Sequence, residues 1–418
     1  MNGFTFVFLT FVLASSAVHF WLAGRQRLSA LRHRQQVPAA FSAQIGLAVH
    51  EKAADYTAAK MRLEQVDVII GIVLVLAWTL GGGLNILATA WDMSGWGSIT
   101  AGTGLVISAL LVMALLDMPM DIYRTFVIEA KFGFNRMTPA LYLSDTIKQG
   151  VISLLLGTPI IAILLWLVTH AGAWWWLYGW LLWTAFTLVM LWLYPTLIAP
   201  LFNRFTPLQD DALRERIVKL LQRCGFNNGG IFIMDGSKRS QHGNAYFTGF
   251  GTNKRIVFFD TLLKSLQADE IEAVLAHELG HFKNGHVRKR FVLITLTSLA
   301  AFAVLGMLVN APWFYAGLGV HHASYATALV LFLLIMPYFS AVIKPLSSYW
   351  MRKHEFEADD YAATQTDARN LIRALVKLYE ENAASLTPDR FYSAYHDSHP
   401  PAPIRISHLT AKLPTSAP

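Results

Sequence analysis

Seven long apolar stretches alternate with polar loops along the chain. Each is close to, or longer than, the roughly 20 residues that a helix needs to cross a bilayer. They cover residues 3–23, 66–90, 101–123, 149–169, 174–197, 291–311 and 325–345. The pattern predicts a mainly α-helical membrane protein with seven transmembrane helices.

The composition agrees with this pattern and narrows the chemistry. Hydrophobic residues make up 54% of the chain and charged residues 15%, whereas soluble domains carry about 25% charged residues. The single cysteine, Cys224, allows no internal disulfide and no thiolate cluster for a metal. The formal charge is +7, but no basic stripe with interleaved aromatic residues is present, so we expect no nucleic-acid partner.

Lysine and arginine alternate between the loops. The loop after the first stretch and the loop between the third and fourth are basic, whereas residues 91–100, 170–173 and 312–324 contain no Lys or Arg. The positive-inside rule predicts an N-terminus outside and a C-terminus in the cytoplasm. The first stretch lacks a positive leader and is followed by arginines, which is typical of an uncleaved anchor. We expect a bacterial inner membrane, or the endoplasmic reticulum membrane in a eukaryote.

Two long polar segments lie on the predicted cytoplasmic side. Residues 203–290 separate the fifth and sixth stretches, and residues 347–418 follow the seventh. Together they suffice for one catalytic domain. We therefore divide the chain into a membrane domain, residues 1–202, and a metallopeptidase domain, residues 203–418, which includes the last two spans.

The sequence HELGH at 277–281 carries most of a metal-dependent hydrolase site. On a helix, His277 and His281 lie one turn apart on one face and can bind the same cation. Glu278 falls beside the metal, where its carboxylate can take a proton from the attacking water. A solvated helix with two ordinary histidines is the alternative. His286, five residues after His281, is expected to leave the metal-facing side.

A catalytic zinc requires a third protein ligand, and the candidates lie in the second polar segment. They are His354, Glu355, Glu357, Asp359, Asp360, His396 and His399. The pattern predicts one helix over residues 352–379. On such a helix Glu355 and Asp359 share a face, and Glu357 points nearly the opposite way. We predict Glu355 as the third ligand and Asp359 as the group that orients a ligand histidine.

Residues 244–250 and 255–259 are strand-like and are joined by a turn signal at 251–253. An edge strand near a metal can hold an extended peptide by backbone hydrogen bonds. Asn244 and Ala245 are therefore candidate substrate contacts, with an ordinary structural hairpin as the alternative.

Several separate blocks resemble the type I CAAX prenyl protease family, which consists of integral-membrane zinc metalloproteases of the gluzincin type. The blocks are PMDIYRTFVIE (119–129) with FGFN (132–135), APLFN (199–203) with FTPL (205–208), NAYF (244–247) with KRIVFFD (254–260), EFEAD (355–359), and SHPP (398–401) with Arg405. In this family the first glutamate of the EFEAD block binds zinc, which supports Glu355 independently of the face argument.

The resemblance also implies a fold and further site residues. It implies seven long helices that form a barrel around a large intramembrane chamber, with a protease domain that closes the cytoplasmic end. It implies that the strand at Asn244 and Ala245 binds substrate. His399 and Arg405, in the last motif, are expected to stabilise the tetrahedral oxyanion or to bind a peptide carboxylate, with a structural contact at the C-terminal end as the alternative for either residue.

We therefore expect a multi-pass zinc endopeptidase with one Zn²⁺ per chain, acting on a peptide or protein substrate, prenylated or plain. One alternative is a quality-control metalloprotease that acts on unprenylated membrane proteins, although such relatives have fewer spans. A second alternative is a transporter or scaffold with a dead site, which the intact set of base and ligands disfavours. The sequence leaves the oligomeric state and the substrate's route to the site open.

Overall fold

The computed structural model describes residues 2–39, 41–248 and 253–413. The helices of the N-terminal half are α1 (Gly3–Arg32), α2 (Leu47–Trp78), α3 (Gly83–Asp92), α4 (Ser98–Tyr123), α5 (Pro139–His170), α6 (Trp175–Leu193) and α7 (Ala199–Phe202). Those of the C-terminal half are α8 (Asp211–Arg223), α9 (Asp260–Ser265), α10 (Ala268–Lys283), α11 (His286–Leu308), α12 (Pro312–Gly317), α13 (Tyr325–Ser340), α14 (Lys344–Gln365), α15 (Ala368–Glu381), α16 (Arg390–His396) and α17 (Ala402–Thr410).

The seven predicted spans are found as five unbroken helices and two bent ones. Within the described residues, five helical segments are long and apolar enough to cross a membrane by themselves, and they contain α1, α4, α5, α6 and α11. The pair α2 and α3 is bent by 44° and the pair α13 and α14 by 65°. The predicted span 66–90 therefore contains a break between α2 and α3, and the span 325–345 ends early, at Ser340. The helices also extend beyond the apolar stretches on the loop side, as in α1, which continues to Arg32.

The spans contact one another in a closed ring. Around it, α1 contacts α2, α4 contacts α5, α5 contacts α6, α6 contacts α11, α11 contacts α13, and α13 returns to α1. The helix α3 and the π-helical turn after α4 complete the ring between α2 and α4. This arrangement agrees with the expected helical barrel.

One end of the ring is filled by a large hydrophobic cluster. Its members come from the start of α1, α4, α6 and α13, from the end of α2, α5 and α11, and from the short helices α3 and α12, for example Phe8, Leu165 and Phe314. Beyond this plug, large apolar side chains such as Leu115 and Leu155 stay exposed. Only 6% to 28% of the most apolar window of each unbroken span is buried. A barrel around a chamber requires such low burial, because both faces of each helix then border lipid or open space.

Residues 352–379, which were predicted to form one helix, belong to two. They lie in α14 and α15, which are separated at Thr366 and Asp367. Thr366 has extended backbone, and the Asp367 side chain accepts a hydrogen bond from the backbone N–H of Arg369 at 2.9 Å. Aspartate caps a helix by this contact, so it starts a new helix rather than continuing the old one.

A small four-stranded sheet lies beside these helices. Its strands are β1 (Phe205–Pro207), β2 (Asn227–Met234), β3 (Ala245–Thr248) and β4 (Asn253–Phe259), and their order is β1-β2-β4-β3. The expected antiparallel pairing of β3 with β4 is confirmed, with Ala245 opposite Phe258. The predicted turn residues Gly251 and Thr252 and the last two residues of the predicted first strand, 249–250, lie outside the described residues. Asn253, which was predicted as a turn residue, is instead the first residue of β4. Strand β2 pairs in parallel with β4, and β1 pairs antiparallel with β2, which the sequence pattern did not predict.

Candidate metal centre

His277 and His281 project from the face of α10 that packs against α14. The opposite face, with Leu275 and Leu279, has no exposed surface and belongs to the core of the catalytic domain together with β4, α8 and α15. Burial of that apolar side leaves the helix one orientation, in which both imidazoles point towards Glu355 on α14.

Three possible ligand atoms converge in this gap. The Nε2 atoms of His277 and His281 are 3.3 Å apart. They lie 3.5 Å and 3.3 Å from the two carboxylate oxygens of Glu355. The Oε2 atom of Glu355 is buried and has no hydrogen-bond partner. Two imidazole nitrogens and an unsatisfied carboxylate form a donor set that fits a divalent metal with one coordination position left for water.

Asp359 supports His277 from behind. Its Oδ1 atom lies 2.8 Å from the Nδ1 atom of His277, and its side chain is fully buried. Burial by itself disfavours a charged carboxylate, but hydrogen bonds with His277 and Arg405 outweigh it and hold the pKa of Asp359 below its usual range. A carboxylate that binds the second ring nitrogen fixes the tautomer of a metal-binding histidine, which is the role we predicted for Asp359.

Arg405 makes a buried contact with Asp359, which corresponds to the structural alternative for this residue. Its guanidinium donates from Nη2 to Asp359 Oδ1 at 2.6 Å and from Nε to Asp359 Oδ2 at 2.9 Å. Only 7% of the residue is exposed, and its Nη1 atom is 3.7 Å from Glu355 Oε2. This side chain therefore braces the two carboxylates from the interior rather than facing the solvent side of the site, because a forked guanidinium matches a buried carboxylate.

The second ring nitrogen of His281 contacts a residue that the sequence argument had set aside. The Nδ1 atoms of His281 and His286 are 3.0 Å apart, and His286 Nε2 is 2.9 Å from Glu357 Oε2. The expectation that His286 turns away assumed one continuous helix, which is wrong because α10 ends at Lys283 and α11 begins at His286. The spacing HExxHxxxxH was the available signal for this contact.

Glu278 and His399 border the accessible side of the site. Glu278 is partly exposed, and among the described residues no hydrogen bond or ion pair involves its carboxylate. His399 has 63% of its side chain exposed and places Nε2 3.4 Å from Glu355 Oε1. The site thus has an accessible imidazole beside the three converging ligand atoms, and a free carboxylate on the residue that follows His277 in α10.

Asn244 and Ala245 lie at the start of the edge strand β3. The carbonyl of Asn244 accepts a hydrogen bond from Phe259 N–H at 2.9 Å, and its side chain accepts one from Ala245 N–H at 2.8 Å. Asn244 and Tyr246 line a cavity of about 850 Å³ between the sheet, α2 and the π-helical turn after α6. These contacts tie both residues to the strand rather than to the three ligand residues.

A closed ring of membrane helices above a buried His-His-Glu cluster defines an integral-membrane metallopeptidase. Residues 26–204 match the family model described as CAAX prenyl protease N-terminal, five membrane helices, and residues 207–413 match that of peptidase family M48. The chain belongs to the M48 metallopeptidases of the CAAX prenyl protease 1 type, as the sequence motifs predicted. Membership of this family implies a bound metal ion and a peptide or protein substrate.

Individual relatives agree along most of the chain. It is 39% identical over 341 residues to a CAAX prenyl protease 1 homolog of Oryza sativa subsp. japonica, which covers 78% of this chain and 79% of the relative. It is 36% identical over 311 residues to CAAX prenyl protease 1 of Saccharomyces cerevisiae, covering 71% and 69%. The crystal structure of S. mikatae Ste24p superposes with a TM-score of 0.89 at 29% identity, covering 98% of this chain and 99% of that one.

Proposed function

We propose that this protein is a zinc endopeptidase that cleaves near the C-terminus of prenylated proteins and in which His277, His281 and Glu355 hold the zinc. The observation that carries the zinc site is the buried carboxylate of Glu355, which faces the imidazoles of His277 and His281 and whose Oε2 atom has no hydrogen-bond partner. A purely structural cluster would leave this charged oxygen unsatisfied. Nitrogen and oxygen donors in a three-residue set with an open position suit Zn²⁺.

The residues of the site divide the hydrolytic reaction between them. Bound zinc would polarise the scissile carbonyl and lower the pKa of a water molecule beside it. The free carboxylate of Glu278 takes the proton from the attacking water and passes it to the leaving amine. His399, the accessible imidazole at the rim, donates a hydrogen bond to the oxygen that becomes negative in the transition state.

The rest of the pocket positions the substrate and the ligands. Asn244 and Ala245 present an edge strand to which an extended peptide can pair by backbone hydrogen bonds. The adjoining cavity of about 850 Å³ gives room for side chains of that peptide. Asp359 and Arg405 act behind His277 as positioning residues, since neither faces the accessible side.

We propose a cytoplasmic active site and an outside N-terminus on the basis of the loop charges. The basic end of α1 is joined to the catalytic domain by an ion pair between Arg25 and Asp389 at 2.8 Å. Arg239, beside the sheet, makes a second such pair with Asp145 near the start of α5, also at 2.8 Å. These pairs support a catalytic domain on the side of the basic loops, which the positive-inside rule assigns to the cytoplasm.

The relatives' names supply the substrate class. Two matched peptides test it, one ending in a farnesylated CAAX sequence and one identical but unprenylated. We expect the purified, zinc-loaded protein to release the C-terminal tripeptide from the farnesylated peptide at a much higher kcat/KM, and phenanthroline to stop the reaction. Equal cleavage of both peptides would contradict a prenyl-protein substrate and favour a general membrane protease. Cleavage that persists in fully chelated protein would contradict the zinc mechanism.

A further inference from the structure

The two histidines of the proposed zinc site are supported in different ways. His277 places its Nδ1 atom 2.8 Å from a carboxylate oxygen of Asp359. His281 places its Nδ1 atom 3.0 Å from another imidazole nitrogen, the Nδ1 of His286. His286 in turn reaches a carboxylate, since its Nε2 atom is 2.9 Å from Glu357 Oε2. A ligand histidine needs its second nitrogen held, and here a second imidazole stands between it and the acid.

The chain geometry that produces this contact is a helix break. Helix α10 ends at Lys283, and Gly285 adopts a left-handed conformation with φ of 68°. Glycine takes this conformation without a steric penalty. The next helix starts at His286, which is 4% exposed and packs beneath His281. Glu357 belongs to α14, so the contact also joins three helices.

The position of each proton fixes the direction of donation along the three residues His281, His286 and Glu357. To bind a metal, His281 must leave Nε2 unprotonated, since that atom faces Glu355 and His277. Its proton is then on Nδ1, which donates to Nδ1 of His286. His286 must be neutral with its proton on Nε2, which donates to the carboxylate of Glu357.

We propose that His286 and Glu357 form a relay that fixes the tautomer and orientation of His281, a positioning role that rests on the proposed zinc site. A carboxylate that polarises one imidazole, which then accepts from the next, makes His281 a better electron donor through its Nε2. The buried ring of His286 also prevents His281 from rotating. The relay serves for His281 the purpose that Asp359 serves directly for His277.

A second metal site is the competing interpretation of the same residues. Among the described residues, His286, His354 and Glu357 also offer ligand atoms within 4.8 Å of one another. A metal on Nε2 of His286 would move its proton to Nδ1, and two N–H groups would then face each other at the 3.0 Å contact with His281. His354 is instead a packing partner, because its ring stacks on His286 at 4.0 Å with an angle of 9° and also contacts the ring of Trp350 at 4.3 Å.

The relay is tested by metal binding in the full-length protein. We expect His286→Phe, which keeps a buried ring, to lower zinc affinity by roughly 10–100-fold, measured by chelator competition. Glu357→Gln should lower it less, because the amide can still accept a hydrogen bond but carries no charge. Glu357 has 37% of its side chain exposed, so this variant tests the relay even if His286→Phe does not fold. Both variants should shift the visible absorption bands of the cobalt-substituted protein.

The matched control is His354→Phe, which keeps an aromatic ring in the stack and removes the imidazole nitrogens. We expect it to bind zinc and cobalt like the wild type. Unchanged affinity and cobalt spectra in both His286→Phe and Glu357→Gln would overturn the relay. A second metal equivalent in the wild type that disappears in His354→Phe would overturn it in favour of a second metal site. The variant His281→Ala distinguishes failure of the relay from failure of the proposed zinc site. Full metal affinity in this variant would refute the zinc site itself.

Discussion

Gly280 lies directly against the backbone of Ala358, at the point where α10 and α14 cross. A Cβ atom at Gly280 would meet the Ala358 Cα at 3.0 Å, its carbonyl oxygen at 3.1 Å and the Tyr361 Cβ at 3.1 Å. Ala358 itself is completely buried. The close approach of these two helices sets the gap across which His277 and His281 face Glu355. Backbone spacing therefore controls the geometry of the proposed metal site.

Replacing Gly280 by valine should push α14 away from α10 and weaken metal binding. The displaced groups are two backbone atoms and a Cβ, none of which can rotate aside, and such overpacking costs about 1–3 kcal/mol. We expect a lower unfolding temperature and a lower zinc affinity in the same variant. Gly150→Ala is a suitable control, since Gly150 lies inside α5 and an added Cβ meets nothing within 4 Å. Unchanged zinc affinity in Gly280→Val would show that the helix spacing does not set the site.

Glu278→Gln should abolish peptide cleavage while leaving zinc bound. The amide is nearly isosteric with the carboxylate but cannot accept the proton of water, and loss of a general base lowers kcat by about 10²–10⁴-fold. Metal analysis and the hydrolysis rate should be measured on the same sample. Glu215→Gln, on a largely exposed surface pair with Lys219, controls for the loss of one charge. Substantial cleavage by a zinc-loaded Glu278→Gln protein would contradict the proposed base.

Zinc uptake should release a proton at neutral pH. Burial and the nearby Arg405 oppose protonation of His277, but contacts with Asp359 and Glu355 outweigh them and raise its pKa above the usual value in the metal-free protein. A ligand must be deprotonated to bind metal, so affinity should fall as the pH is lowered, by up to about tenfold per pH unit for one proton. Calorimetry in buffers of different ionisation enthalpy measures the released protons.

The variant Asp359→Asn tests whether the proton released on zinc uptake comes from His277. Removing the carboxylate takes away a contact that favours protonated His277, so fewer protons should be released at pH 7. An equal proton release in wild type and Asp359→Asn would show that His277 is not the titrating group.

Arg405→Met should destabilise the catalytic domain as well as reduce activity. It would leave Asp359 buried without its bidentate partner, and breaking a buried pair costs about 3–5 kcal/mol. Adding Asp359→Asn should recover part of the thermal stability but not the activity, since His277 still lacks its carboxylate. If Arg405→Met kept full stability and lost only turnover, Arg405 would act on the substrate, as its position in the last sequence motif suggested.

Local periodicity predicted much of this molecule. The apolar runs located seven spans, and the spacing within HELGH placed His277 and His281 on one face of α10. The same argument paired Glu355 with Asp359, because both residues lie within a single continuous helix. The alternating strands at residues 244–259 predicted β3 and β4. These features depend only on residues a few positions apart, because a helix or a strand has a fixed period that decides which side chains share a face.

Contacts between residues on different helices or strands could not be predicted from local periodicity. The direction of Arg405 depends on how α17 packs against α14, and His286 meets His281 only because Gly285 ends one helix and starts another. Strands β2 and β4 pair in parallel although many residues separate them in the chain. A local pattern carries no information about such a pairing. The sequence by itself determined the proposed metal ligands, the helices that carry them and the membrane topology to expect. Only the tertiary structure decided that Arg405 supports Asp359 and that His286 and Glu357 support His281, because side-chain partners far apart in the chain are chosen by packing rather than by spacing.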